Sequence, residues 1–349
     1  MVPLYHNWVM AMHPNQINLF KQYSGNKKSS ADYSVFMSDS DKLEAMQKFL
    51  SSKRNAGGKL SENAKRKIIR AIDYLLFISQ PKKVINPASG KRFTFKVNFI
   101  TLTLSSAQIH DDKTITNTCL NQFLTEIRQV YHSRFYVYRA EKQKNGNIHY
   151  HILTDVFIPF TDVRDRWNRI QNKLGYVDRY TENMREWHKN GFRYRQELSK
   201  NWSYEQQLKA YKQGIKSNFR RPNSTDIHSL KNIRNVRNYL IKYLTKHEEN
   251  NLSGSKANEN QLLVGGRIWS CSQALSKIKG YRADVDNFIS ELLTRLKRCS
   301  AVKIVEKEHF SCYYFDVREL NNSPFEDLFF RFIRYLKETF NIDYQLQIT

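Results

Sequence analysis

Apolar residues recur along this chain in two rhythms. In SENAKRKIIRAIDYLLFIS (61–79), Ala64, Ile68, Ile72, Leu75 and Leu76 fall on one face at helical spacing, and Ser61 is placed to cap the first turn. KRFTFKVNFITLTLSS (91–106) changes to alternation, rich in aromatic and β-branched residues, and predicts strand. TCLNQFLTEIRQVY (118–131) is an amphipathic helix again. SRFYVYRAEKQ (133–143) and NIHYHILTDVF (147–157) read as strands around KNGN (144–147), and Asn-Gly between two such runs is a strong hairpin signal. Residues 160–180 predict a helix and then a Gly-containing turn, whereas 181–231 are basic, Trp- and Tyr-bearing and weakly periodic. NVRNYLIKYLTKH (235–247) predicts a further helix. A strand near 310–317 and a helix near 325–339 are expected toward the end. The first 57 residues are mixed and polar, with one helix expected near 40–51 and a breaker at NAGGK (55–59). EENNLSGSKANENQ (248–261) reads as a polar linker. The expected organisation is an N-terminal extension (1–57), a principal domain (58–250), and a linker with a C-terminal region of unassigned role (251–349).

Charge narrows the class of partner. Among 349 residues, 57 are Lys or Arg and 33 are Asp or Glu, a formal net charge of +24. Such an excess suits a polyanion. With 20 Tyr and 21 Phe interleaved, single strands are favoured, because bases stack on rings while phosphates pair with cations. Residues 185–246 concentrate this character, with 15 Lys or Arg against 4 Asp or Glu. No apolar run approaches the roughly 20 residues of a spanning helix. The first residues, MVPLYHNWVMAMHP, lack the basic and apolar regions of a signal peptide. Four cysteines with no CxxC spacing argue against a zinc ribbon and fit a reducing cytoplasm. No GxxxxGK[ST] stretch is present, so no P-loop helicase module is apparent.

Candidate chemistry begins with GNIHYHIL (146–153). On a strand, His149 and His151 point to one face and Tyr150 to the other. Two imidazoles can hold one divalent ion, but the pair alone does not specify a metal. The partner strand offers Glu141. A two-residue Asn145-Gly146 turn would set Lys142 opposite His149 and turn Glu141 away. A three-residue loop or bulge would set Glu141 opposite His149 and gather all three residues on one face. The bulged register is expected, with Asp155 as the alternative ligand. Glu/His/His ligation is compatible with Mg²⁺ or Mn²⁺, and Zn²⁺ can compete. The alternative is a pair of ordinary strand histidines.

YLIKYLTK (239–246) places Tyr239 and Tyr243 four residues apart, on one helix face, each followed three residues later by a lysine, Lys242 and Lys246. Tyr176 and Tyr180 repeat the spacing in a turn context without those lysines. Packed core tyrosines are the alternative reading. A phenol with pKa ~10 is about one part in a thousand phenolate at pH 7, a handicap of roughly 4 kcal/mol. The lysines, Arg234 and Arg237 on the same basic helix, and a metal across a cleft are expected to favour the anion. Arg220 and Arg221 are further candidate phosphate contacts.

The motifs occur in one order: the hydroxyl-rich FITLTL (99–104), HYH (149–151) with Glu141 upstream, then YLIKYLTK (239–246). In this order they resemble the HUH endonuclease superfamily of rolling-circle replication initiators, in its two-tyrosine branch from single-stranded DNA bacteriophages and some plasmids. The resemblance covers about residues 60–250, and GGRIWSCS (265–272) has the same flavour. It implies an α+β fold: an antiparallel sheet with the histidine strand central and the tyrosine helix alongside. It implies that Glu141, His149 and His151 bind the divalent ion, that Tyr239 and Tyr243 are alternating nucleophiles, and that Lys242 and Lys246 position the phosphotyrosine. The implied substrate is single-stranded DNA at a replication origin, in a bacterial host's cytoplasm, with host helicase, polymerase and single-strand-binding protein as partners. A two-tyrosine transposase of the same chemistry and a catalytically inactive nucleic-acid-binding protein are the competing readings.

Overall fold

The computed structural model describes residues 5–24, 60–85, 90–228, 230, 235–245, 263–307 and 310–344. In chain order, two strands come first, β1 (Tyr5–His13) and β2 (Gln16–Ser24), then helix α1 (Glu62–Ile78). Strands β3 (Lys82–Ile85), β4 (Arg92–Phe95) and β5 (Asn98–Thr103) follow. A helical stretch opens as α2 (Asp112–Ile115), passes through a π-helical turn at Thr116–Leu120 and continues as α3 (Asn121–Val130). The hairpin is β6 (Tyr136–Lys142) and β7 (Ile148–Thr154). Helices α4 (Phe160–Gln171), α5 (Tyr176–Trp187) and α6 (Tyr204–Lys216) lead to strand β8 (Thr225–His228) and helix α7 (Val236–Thr245). The last elements are β9 (Trp269–Cys271), α8 (Gln273–Ser276), β10 (Tyr281–Asp284), α9 (Asn287–Lys297), β11 (Lys303–Lys307), β12 (Phe310–Tyr314) and α10 (Glu326–Phe340). The fold is α+β with antiparallel sheets. The helix expected near 40–51, the breaker at 55–59 and the linker at 248–261 lie outside the described residues.

The chain divides into two units, residues 57–69 with 81–272, and residues 1–56 with 70–80 and 273–349. The first contains a five-stranded antiparallel sheet in the order β8-β5-β7-β6-β9. Its middle strand is β7, whose residues divide by parity. Ile148, Tyr150 and Ile152 face a core with Leu120, Phe123, Trp167 and Ile170 from the helices. Tyr150 is anchored there by a 2.9 Å bond between its hydroxyl and that of Thr116. His149 and His151 therefore lie on the face away from this core. The strand expected at 91–106 breaks in two, because β4 pairs with β3 while β5 pairs with β7 and β8. The GGRIWSCS segment returns as β9 and covers the open edge of β6, with Val137 opposite Cys271 and Arg139 opposite Trp269. Gly265 N–H also donates to Asp112 at 2.8 Å. This unit thus extends to Ser272, past the boundary expected at residue 250.

The hairpin adopts the bulged register: Glu141 stands opposite His149 and Lys142 opposite Ile148. Gly146 N–H donates to Gln143 O, and Gln143 N–H donates to Asn147 O, which leaves a three-residue loop of Lys144, Asn145 and Gly146. Gly146 sits at φ +83°, in the left-handed region where a glycine closes such a loop without strain. Lys142, pointing away from Glu141, forms a buried 2.7 Å ion pair with Asp112 and donates to Gly146 O.

The second unit has its own antiparallel sheet, ordered β10-β1-β2-β12-β11, so strands from both ends of the chain share one sheet. Met10, Met12 and Ile17 are fully buried in this unit, as are Leu292, Phe329, Phe332 and Leu336 from its helices. Within it, His13 Nδ1 bonds to the Tyr74 hydroxyl at 3.0 Å, and that hydroxyl donates to Lys279 O. Burial, with the charges of Arg70 and Arg282, pushes the His13 pKa down to about 4.

Two outcomes follow. Gly146→Ala keeps open space around its Cβ but not its φ, and is expected to cost about 1 kcal/mol of unfolding free energy in urea titrations. Because folded His13 binds its proton less readily than unfolded His13, stability is fully present above pH ~6.5 and falls as pH drops toward 4. The expected loss by pH 4.5 is about 2 kcal/mol, and His13→Gln should flatten that slope.

Candidate functional site

Cross-strand pairing puts Glu141, His149, His151, Thr101, Phe99 and His228 on the sheet face away from the helical core. The Nε2 atoms of His149 and His151 lie 2.7 and 2.9 Å from one oxygen, Oε1 of Glu141, and each donates to it. Burial works to raise the Glu141 pKa, but the hydrogen bonds and charges of the two histidines hold it well below the usual carboxylate range. The other carboxylate oxygen lies 4.0 Å from Nε of Arg139, a guanidinium only 2% exposed. Burial lowers the His151 pKa against the pull of Glu141, so the ring is neutral, the form a metal requires.

The neutral ring fixes the direction of a short chain of bonds. With Nε2–H donating to Glu141, Nδ1 of His151 accepts from the Thr101 hydroxyl at 2.9 Å, and Thr101 Oγ1 accepts from Nε2 of His228 at 2.8 Å. Holding a cation requires the other tautomer, in which Nδ1–H donates to Thr101 instead.

Glu141, His149 and His151 could hold one metal ion. Adjacent donors around an octahedral ion, each about 2.1 Å away, sit about 3.0 Å apart, close to the separations seen. Thr101 supplies the outer contact that orients His151. Asp155, the alternative ligand, is engaged elsewhere: its carboxylate accepts from Ser133 Oγ and the Phe135 N–H at the start of β6.

The tyrosine helix α7 buries Leu240 and Leu244 and brings Tyr239 and Tyr243 side by side, ring centroids 4.5 Å apart. Both meet Phe99 edge-on at 6.2 and 6.0 Å, and Phe99 in turn stacks on His151. The Tyr243 ring lies 6.0 Å from that of His151 and 6.2 Å from that of His228. The electrostatic expectation for Tyr239 is reversed. Partial burial, a hydrogen bond with Tyr243, and the charge of Asp226 push its pKa up to about 12, while Lys242 stands exposed. The phenol is neutral at pH 7, so its surroundings in the chain do not activate it unaided.

The remaining candidates are scattered. Arg237 is half-buried on α7, and Arg220 is exposed. Arg221 is bound to Asp165 at 2.5 Å rather than free for a phosphate. Arg234 and Lys246 lie outside the described residues. Tyr176 and Tyr180 lie on helix α5 rather than in a turn, and the buried Tyr176 hydroxyl bonds to His110. His228 and Arg139 were missed by motif reasoning. Neither belongs to a spaced pair, and only the strand register, with Phe99 opposite His228 and Arg139 opposite His151, brings them to the site.

A family of replication-associated proteins, the ORF2 type, matches residues 97–248. The match points to a family of replication initiators, and it spans β5 through α7, with the Glu/His/His cluster and both tyrosines inside it. No curated protein and no solved structure matches the chain. Among the described residues, no helix is long and apolar enough to cross a membrane.

Glu141→Gln or His149→Ala is expected to abolish Mn²⁺ binding in calorimetric titration. Thr101→Val should weaken it about 10- to 100-fold while leaving the folded chain intact.

Proposed function

We propose that this chain is a rolling-circle replication initiator that nicks and rejoins single-stranded DNA through tyrosine nucleophiles. The observation that carries the proposal is the facing of two tyrosines and a Glu/His/His cluster across one sheet face, with Tyr243 6.0 Å from His151 ring to ring. Glu141, His149 and His151 would hold Mg²⁺ or Mn²⁺, with Zn²⁺ as a competitor. The ion would supply the positive charge that polarises the scissile phosphate and that the tyrosines' own surroundings lack.

The chain's residues do the rest. Phe99 fixes the two phenols beside the cluster. One tyrosine oxygen forms a bond to phosphorus, the bond from phosphorus to O3′ breaks, and the departing 3′ oxygen takes a proton to become the primer 3′-OH. The 5′ end is retained as phosphotyrosine. The second tyrosine, 4.5 Å away ring to ring, is positioned to repeat the attack on the regenerated site, so that the first strand can be rejoined. Lys242 and Lys246 would steady the phosphotyrosine, and Arg220, Arg221, Arg234 and Arg237 would contact phosphates. Host helicase, polymerase and single-strand-binding protein would act with it at an origin in a bacterial cytoplasm.

The test is a covalent-adduct gel with Mn²⁺ or Mg²⁺ and single-stranded DNA from the chain's own replicon. A metal-dependent adduct that survives SDS, weakens in Tyr239→Phe or Tyr243→Phe and vanishes in the double variant is the expected result. An adduct that persists in the double variant refutes these nucleophiles. Tight binding with no adduct on any replicon DNA means a binding protein without nicking activity.

A further inference from the structure

The segment from α4 to β8 builds a feature that the nicking chemistry does not use. A cleft of about 840 Å³ is bounded by α4, α5, α6 and the chain between α5 and α6. Phe160 and Trp202 line it with surface still open to solvent, Trp202 at 45% exposure. Arg164, Arg193, Arg195 and Lys216 line it as well, and no lining residue is acidic. The three guanidinium groups lie against rings. Arg193 sits 3.9 Å and Arg195 4.8 Å from the centroid of Trp187, and Arg164 sits 5.4 Å from that of Phe160.

The wall is rigidly built. The buried amide of Gln207 donates to the carbonyls of Arg195 and Trp202 and accepts from the Arg195 N–H, which fastens the connecting chain to α6. Behind it, His188 stacks nearly parallel to Phe192 and Phe219, at 12° and 8°. Open rings therefore sit beside fixed guanidinium groups. Two residues beyond Asn223, the last lining residue, the chain enters β8, which carries His228 to the candidate site.

We propose that this cleft is a second nucleic-acid site, taking unpaired nucleotides of single-stranded DNA by base stacking on Trp202 and Phe160 and by phosphate contact with Arg193, Arg195 and Lys216. The choice of DNA rests on the replication-initiator reading above. The choice of a single strand rests on the rings themselves, since a duplex hides the base faces they would stack on. The absence of carboxylates and the number of cations supply the charge complementarity.

The test measures binding of 5′-fluorescein-labelled dT20 to the full chain by anisotropy, with EDTA present so that no metal chemistry occurs. Trp202→Ala is expected to weaken binding about tenfold and Trp202→Phe to restore it. Arg193→Gln with Arg195→Gln is expected to flatten the slope of log K against log salt by about 1.4, at about 0.7 per lost phosphate contact. Thermal melting of each variant separates lost binding from lost folding, and the Trp202→Phe rescue reads independently of it. Wild-type affinity in Trp202→Ala together with an unchanged slope in the arginine pair would overturn the proposal, as would tighter binding of rU20 than of dT20. Absence of any covalent adduct would sink the nicking chemistry and leave this cleft standing. Trp202-independent binding would do the reverse.

Discussion

The pairing of Glu141 with His149 is the contact on which the candidate site depends. A slip of one residue would rotate every side chain of β6 to the other face, burying Lys142 beneath the histidines and exporting the carboxylate. The loop alone does not hold the register. The buried Lys142–Asp112 pair ties β6 to α2 from the opposite face, and Gln108 accepts from the Ile148 N–H where β7 begins. A polar network on one side of the sheet thus fixes the position of a polar cluster on the other.

The two faces of β7 divide the work. Tyr150 and its apolar neighbours anchor the strand against α3 and α4, so the backbone that carries the histidines is rigid. On the other face, Phe99 serves as a floor shared by His151, His228 and both tyrosines. A helix docked on this ring has little freedom to carry one tyrosine toward the histidines without the other. The proximity of two equivalent nucleophiles is a property of packing, set before any substrate arrives.

Much of this site was legible in the sequence because its determinants are local. HYH on a strand, Asn-Gly in a loop and a four-residue tyrosine spacing each act over fewer than a dozen residues. The bulged register could be argued because Glu141 fell within reach of the turn. His228 was illegible because its place depends on β8 pairing with β5, about 125 residues away in the chain. Helix α6 did carry a local signal, the Ser203–Gln206 capping box, which the surrounding basic and aromatic residues obscured. Strands β1 and β2 were hidden for another reason. From Val9 to Met12 every residue is buried, so the apolar-polar alternation that marks a half-exposed strand is absent. The raised pKa of Tyr239 was not foreseen either, because lysine spacing says nothing of how deeply a phenol is packed.

The sheet that joins both ends of the chain also has a history in time. Val9 pairs with Asp284 and Phe20 with Phe310, so the hairpin of β1 and β2 is made first and finds its neighbours last. At roughly 5–20 residues per second of synthesis, that hairpin waits some tens of seconds with both edges bare. Most of the other unit, residues 81–272, is a continuous run of chain and is complete while the hairpin still waits. On the ribosome, then, the candidate catalytic sheet can close before the sheet that begins the protein, and the waiting hairpin is the stretch most in need of a chaperone's cover.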